Sequence, residues 1–189
     1  EDRGRASDPG LQGIERSLER QPTVVEDRDA VGDPLDVVDQ VRRVDHRSAL
    51  GRNRLEDAFE DLAGRYRAAE SIDVFFQVSA RPLYTVNREH FVSEIIAVCG
   101  GRNVFEDVSD FAPSVSVEAV LERDPEVLLA GANLGEDAFA DWGRWPDLAA
   151  NRRGNHFLLP DDTVARPSPR LAQAAASVCA ALDEARSRK

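Results

Sequence analysis

The sequence predicts an α/β protein, a parallel sheet with helices on both faces. Three apolar runs have the length of buried strands: "DVFFQVS" from Asp73, "EVLLAGA" from Glu126 and "GNHFLLP" from Gly154. Stretches with apolar residues three and four apart lie between and around them. Strands alternating with helices at these lengths pair in parallel through crossovers.

The elements follow in chain order. Residues 1–50 contain no Phe, Tyr or Trp and are dense in Arg and Asp. "VVDQVRRVDHR" has brief helical spacing, but no sustained apolar face follows it. This composition buries too little apolar surface to offset chain entropy, so a poorly ordered segment is expected. A linker, a remnant of a larger domain and an out-of-frame translation all fit it. From Leu55 the pattern sharpens. "RLEDAFEDLAGRYRAA" puts Leu55, Phe59, Leu62 and Tyr66 on one helical stripe. The first strand follows, then "ARPLYTVN" as a loop punctuated by Pro82. "HFVSEIIAVCGG" reads as a helix that Gly100 or Gly101 stops. A loop through "DFAP" leads to Ser116, which caps the helix "SVEAVLERDP", and Pro125 helps to end it. After the second strand, a loop with a short helix carries "DAFADWGRWPDL". The third strand leads to a long alanine-rich helix entered through prolines. Ligands of such sheets bind beyond the carboxyl ends of the strands. Here those ends are residues 77–84, 131–135 and 161–167.

Composition narrows the function. The chain has 189 residues, room for one ordinary domain, and a formal charge of −11. The charge argues against a nucleic-acid partner, which selects a basic face. No window approaches the roughly 20 apolar residues of a membrane helix. The chain starts at Glu1 and has no Met or signal peptide, so it reads as a fragment or trimmed chain. Two cysteines, Cys99 and Cys179, fit either one disulfide in an exported protein or two buried thiols.

A search for chemistry finds no catalytic set. His46, His90 and His156 sit in unlike contexts. His90 and Glu94 are four apart on a predicted helix, but a zinc site takes three or four ligands, so a solvated helical face is the simpler reading. GxSxG, HExxH and the P-loop signature are all absent. "CGGRN" is glycine-rich but follows a helix, where a phosphate loop would lie between strand and helix. Glu106–Asp107 and Asp161–Asp162 read as polar loop residues. Trp142 and Trp145 flank Gly143–Arg144 and read as anchors of a surface helix.

Four pieces, "VFFQVSARPLYTVN", "HFVSEIIAVCGGRNVF", "APSVSVEAVLERDPEVLLAG" and "ARPSPRL", resemble a known family. It is the periplasmic substrate-binding proteins for cobalamin and iron chelates of ABC importers, and the cobalamin branch above all. The third piece is the most specific: a proline, a V-S-x-E helix start and a D-P-[DE]-V strand entry. The resemblance covers about Leu55 to the end. It implies a Rossmann-like lobe of a class III, helical-backbone binding protein. Residues 51–71 would end the bridging helix and 72–189 would form the C-terminal lobe, with the first lobe absent or truncated. It implies no enzymatic activity, no cofactor, a monomer and a periplasmic location.

The resemblance also assigns residues. Glu118, in the first turn of its helix, would dock into an arginine pocket of the membrane permease. The helix dipole favours a carboxylate there, and a carboxylate–arginine contact gives register. The plainer reading is that Glu118 completes a cap with Ser116. Tyr84 and Arg166 match ligand contacts. Val78 and Ala112 stand where the compared cobalamin binder has Phe and Trp, and Phe111 is placed to compensate. Core packing for Val78 and salt-bridging for Arg166 are the plainer readings. Cys99 and Cys179 match a disulfide that would close a loop of about 80 residues and stabilise by about 4–5 kcal/mol, in an oxidising compartment. A ferric siderophore or haem is the rival ligand. An isolated lobe that binds nothing, and an enzyme on a related scaffold, are the remaining alternatives.

Overall fold

The computed structural model describes residues 49–160 and 171–189, with side chains from residue 57 onward. These residues fall within a single compact unit. In chain order they form α1 (Ala49–Tyr66), β1 (Ile72–Gln77), β2 (Ser79–Ala80) and β3 (Leu83–Tyr84). Next come α2 (Phe91–Val98), β4 (Gly101–Asn103), α3 (Val117–Arg123) and β5 (Val127–Gly131). Two 3-10 segments follow, Ala132–Leu134 and Glu136–Arg144, then α4 (Ala149–Arg153), β6 (His156–Leu159) and α5 (Leu171–Ser187).

The sheet order is β4-β1-β5-β6, with every pairing parallel. The apolar runs become β1, β5 and β6, and both faces of β1 and β5 are covered. Alternate side chains of a strand point to opposite faces. Ile72, Val74 and Phe76 of β1, with Val127 and Leu129 of β5, enter a core with α1, α2 and α5. Phe75 and Leu128 point the other way, to Phe105, Val120, Trp142, Leu148 and Ala150. The predicted α1 stripe is present from Phe59 onward, which is buried with Leu62, Ala63 and Tyr66 packed beside it, and the Leu55 side chain lies outside the described residues. Ala174, Ala175, Ala181 and Ala185 are buried on α5, where methyl side chains let that helix lie close to its neighbours.

The paired glycines behave as helix stop and strand start. Gly100 has φ +72°, the left-handed conformation that ends α2. A Cβ on Gly101 would come within 2.8 Å of both Ile96 Cγ2 and Leu182 Cδ1. The three residues that follow the stop form β4, an edge strand that no apolar run marks in the sequence. Asn103 is buried there, donating from Nδ2 to the Val86 carbonyl and the Ser93 hydroxyl at 2.8 Å each, and accepting from the Phe105 amide at 3.0 Å. The stretch read as the loop "ARPLYTVN" also contains structure. Its start is the β2–β3 hairpin, turned at a cis Arg81–Pro82 bond.

The expected disulfide is formed between Cys99, at the end of α2, and Cys179 of α5. Among the described residues no helix is long and apolar enough to cross a membrane.

Candidate ligand-binding rim

The chain runs from β1 to β4 on one side and returns to β5 on the other, so the strand order reverses between β1 and β5. In open α/β sheets a ligand crevice forms at the carboxyl ends beside such a reversal. Here that place holds Gln77, the β2–β3 hairpin and the Glu136–Arg144 segment.

Gln77 is buried and bonded at both ends. Its Nε2 donates to the Ala138 carbonyl at 2.8 Å, and its Oε1 accepts from the Trp142 indole at 2.7 Å. Trp142 packs edge-on against Phe75, with centroids 5.7 Å apart. The tryptophan is therefore the anchor expected of it, and Gln77 is the residue it anchors to. Arg81, at the hairpin tip, reaches across to Asp141 with two nitrogens at 2.8–3.2 Å. Hairpin and 3-10 segment are thus tied together above the strand ends.

A second set of bonds joins the hairpin to the loop before α3. The Val78 amide donates to the Tyr84 carbonyl at 2.9 Å. Val115 donates to Leu83, Thr85 to Pro113 and Asn87 to Phe111, at 3.0, 3.1 and 3.2 Å. The Thr85 hydroxyl closes the ladder below, donating to the Phe76 carbonyl at 2.8 Å. Asn87 Nδ2 holds the Val108 and Ser109 carbonyls at 3.3 and 3.4 Å.

The ladder brings most of the sequence-predicted residues together. Val78, Tyr84 and Phe111 are large apolar side chains left 39%, 36% and 53% exposed, and Ala112 is exposed beside them. Core packing is therefore not what Val78 does. Single exposed apolar residues are ordinary, but several at one sheet end are a patch. Leu158, near the end of β6, is exposed as well. Arg166 and the Asp161–Asp162 pair lie outside the described residues.

Glu118 is exposed in the first turn of α3 and makes no ion pair with any described residue. It does not complete the cap. The Ser116 hydroxyl caps α3 without it, accepting from the Ala119 amide at 3.1 Å. The left-handed Asp124, φ 39°, ends that helix before Pro125, and its carboxylate accepts from the Ala149 amide at 2.8 Å.

His90 and Glu94 do not form the shared metal face that their spacing allows. His90 is the N-cap of α2, its Nδ1 accepting from the Val92 amide at 3.2 Å. Burial lowers its pKa to about 4. Among the described residues no three His, Cys, Asp or Glu side chains are grouped to hold a metal. Glu106 is pushed above the usual carboxylate range by burial. Asp107 is held below it by its pairing with Arg123. Sequence reasoning missed Gln77, the Arg81–Asp141 pair and the capping role of His90. The one signal for the last was its place directly before an apolar helical pattern.

No protein-family model matches the chain. It is 31% identical over 147 residues to the vitamin B12-binding protein of Vibrio parahaemolyticus, across 75% of this chain and 53% of that protein. To the vitamin B12-binding protein of Vibrio cholerae serotype O1 it is 31% identical over 154 residues, 76% of this chain and 54% of the other. The chain thus spans about half the length of the curated relatives it matches. The crystal structure of the periplasmic vitamin B12 binding protein BtuF of Vibrio cholerae superposes with a TM-score of 0.67 at 29% identity. That match covers 80% of this chain and 62% of that one. With the parallel sheet flanked by helices, the rim at its strand ends and these likenesses together, the chain has the class III fold of periplasmic binding proteins and is homologous to vitamin B12-binding proteins over about half of their length.

Proposed function

We propose that this chain is the C-terminal lobe of a periplasmic solute-binding component of an ABC importer, with cobalamin as its ligand. The lobe offers half of a cleft, and a first lobe would supply the other wall. The observation that carries the reading is the convergence of Val78, Tyr84, Phe111 and Ala112 on one exposed rim at the sheet's carboxyl ends. A flat, largely apolar macrocycle is a natural occupant of such a rim, with Arg166 as the hydrogen-bonding partner of its amide side chains. The chain works by binding and delivery and is not an enzyme. Glu118, exposed and without an ion pair among the described residues, docks on an arginine pocket of the permease. The lobe acts as a monomer.

The test is a spectroscopic titration of the chain with cyanocobalamin, haemin and a ferric siderophore. Saturable cobalamin binding that F111A weakens supports the reading. Preference for haemin or the siderophore moves the chain to the iron-chelate branch. Binding of none of the three means an isolated lobe without transport function. Separately, E118A is expected to reduce capture of the permease at least tenfold while leaving the cobalamin affinity unchanged. That is the loss expected when one partner of an interfacial charge pair is removed. Equal capture of both forms would remove Glu118 from the interface.

A further inference from the structure

His90 has a second role that its capping bond does not use. Its ring lies on Phe91 with centroids 4.6 Å apart and planes 29° from parallel. The other neighbour is Phe111, at 4.9 Å and 45°. Phe91 is fixed in the core, 4% exposed, whereas Phe111 is 53% exposed on a loop. The imidazole therefore bridges an immobile ring and an exposed one.

Phe111 needs such a bridge. The loop's main chain is held, through the Asn87 amide on the Phe111 carbonyl. That bond fixes the backbone and leaves the side-chain torsions free. An exposed phenyl group on a loop samples several rotamers, and ordering it on ligand binding costs free energy. Among the described residues His90 is the one ring in contact with Phe111. The ring's own orientation is set by Nδ1, which accepts from the Val92 amide. With Nδ1 an acceptor, the neutral imidazole carries its proton on Nε2. Burial keeps it uncharged near neutral pH, so it stacks as an aromatic and brings no charge to an apolar rim.

We propose that His90 is a positioning residue for the ligand wall, its imidazole clamped between Phe91 and Phe111 so that the exposed phenyl ring stands ready for the ligand. This rests on the reading of Phe111 as a ligand contact. Beside it, Ala112 offers only a methyl group, so the aromatic surface of this part of the rim is the one that His90 organises.

Two variants separate the clamp from the cap. H90S keeps an N-cap hydroxyl and removes the ring. H90F keeps a ring and removes the capping acceptor. Each is made in the full chain with 4-fluorophenylalanine at position 111, and both the fluorine resonance and cyanocobalamin affinity are measured. H90S is expected to shift the resonance toward that of the free amino acid and to weaken cobalamin roughly three- to tenfold, the scale of one lost aromatic pair. H90F is expected to keep resonance and affinity within about twofold while lowering the melting temperature. A resonance in H90S unchanged from the parent overturns the proposal. If the parent binds no cobalamin, the transport reading falls, and the fluorine comparison alone decides whether His90 holds Phe111.

Discussion

Reducing the Cys99–Cys179 bond should remove much of the stability of the lobe. Both cysteines are buried, at 0% and 1% exposure, and they join the end of α2 to the middle of α5. The bond closes a loop with a sequence separation of 80. In the chain-entropy model, a loop of that length restricts the unfolded chain by about 15 cal/mol/K, or about 4.5 kcal/mol at 25 °C. Small domains have about 5–15 kcal/mol in total. The closed loop contains β4, α3, β5, α4 and β6, with Phe111 and Ala112 of the rim, so reduction loosens the unfolded state of three of the four strands of the sheet. The folded contacts stay the same, because the same atoms are present without the link. The assay is urea unfolding followed by tryptophan fluorescence, with and without reductant. With a slope of about 2 kcal/mol/M, the midpoint should fall by about 2 M. The C99A/C179A double variant should fall at least as far, since it also loses two buried sulfurs. A shift below about 0.5 M would refute the reasoning. It would mean that the unfolded chain already holds these two segments together, or that reduction relieves the native state.

Three further outcomes are expected. Q77L leaves the Trp142 indole and the Ala138 carbonyl without partners in a dry site, so it should cost about 2–4 kcal/mol in urea unfolding and alter the tryptophan emission. G101A drives a Cβ to within 2.8 Å of Ile96 and Leu182; overpacking of this kind costs about 1–3 kcal/mol, read as a lower melting temperature. The pH dependence follows from His90, whose folded pKa of about 4 lies below its unfolded value of 6.5. The folded state therefore favours the neutral ring. Stability is complete above pH 6.5 and is lost as the pH falls from there through 4. The loss is about 2 kcal/mol after solvent screening of a partly buried ring is allowed for. H90S should flatten that limb of the stability curve, and an identical curve would assign it to other groups.

The legible parts of this fold are those where local pattern and tertiary environment agree. Val74–Phe75–Phe76 and Val127–Leu128–Leu129 are apolar throughout because both sheet faces are covered, and the sequence says so directly. The α1 stripe, the Ser116 cap and the glycine stop at Gly100 are equally local. Strand β4 is the opposite case. Gly101, Arg102 and Asn103 have poor strand propensity, and they are extended because β1 lies beside them and Asn103 has buried partners at Val86 and Ser93. The rim divides in the same way. The resemblance singles out Val78, Tyr84 and Phe111, and the structure leaves all three exposed. Gln77 sits inside an apolar run and shows no sign of its bonds to Ala138 and Trp142, which are 61 and 65 residues away. Spacing offers His90 the role of a metal ligand or of a solvated helical face, and its neighbours in space give it neither: it is a half-buried N-cap stacked on Phe91.

The ladder beneath the rim is built from main-chain amides and carbonyls, with Thr85 and Asn87 as its side-chain props. None of its bonds uses the side chain of Val78, Tyr84, Phe111 or Ala112. Shape and chemistry at the surface are thereby uncoupled from the scaffold that presents them. Replacing these four residues changes what the wall can grip and leaves every support in place, at a stability cost expected within about 0.5 kcal/mol each. On the proposed reading, a lineage carrying this framework is free to drift between cargoes of different size and polarity without refolding its walls.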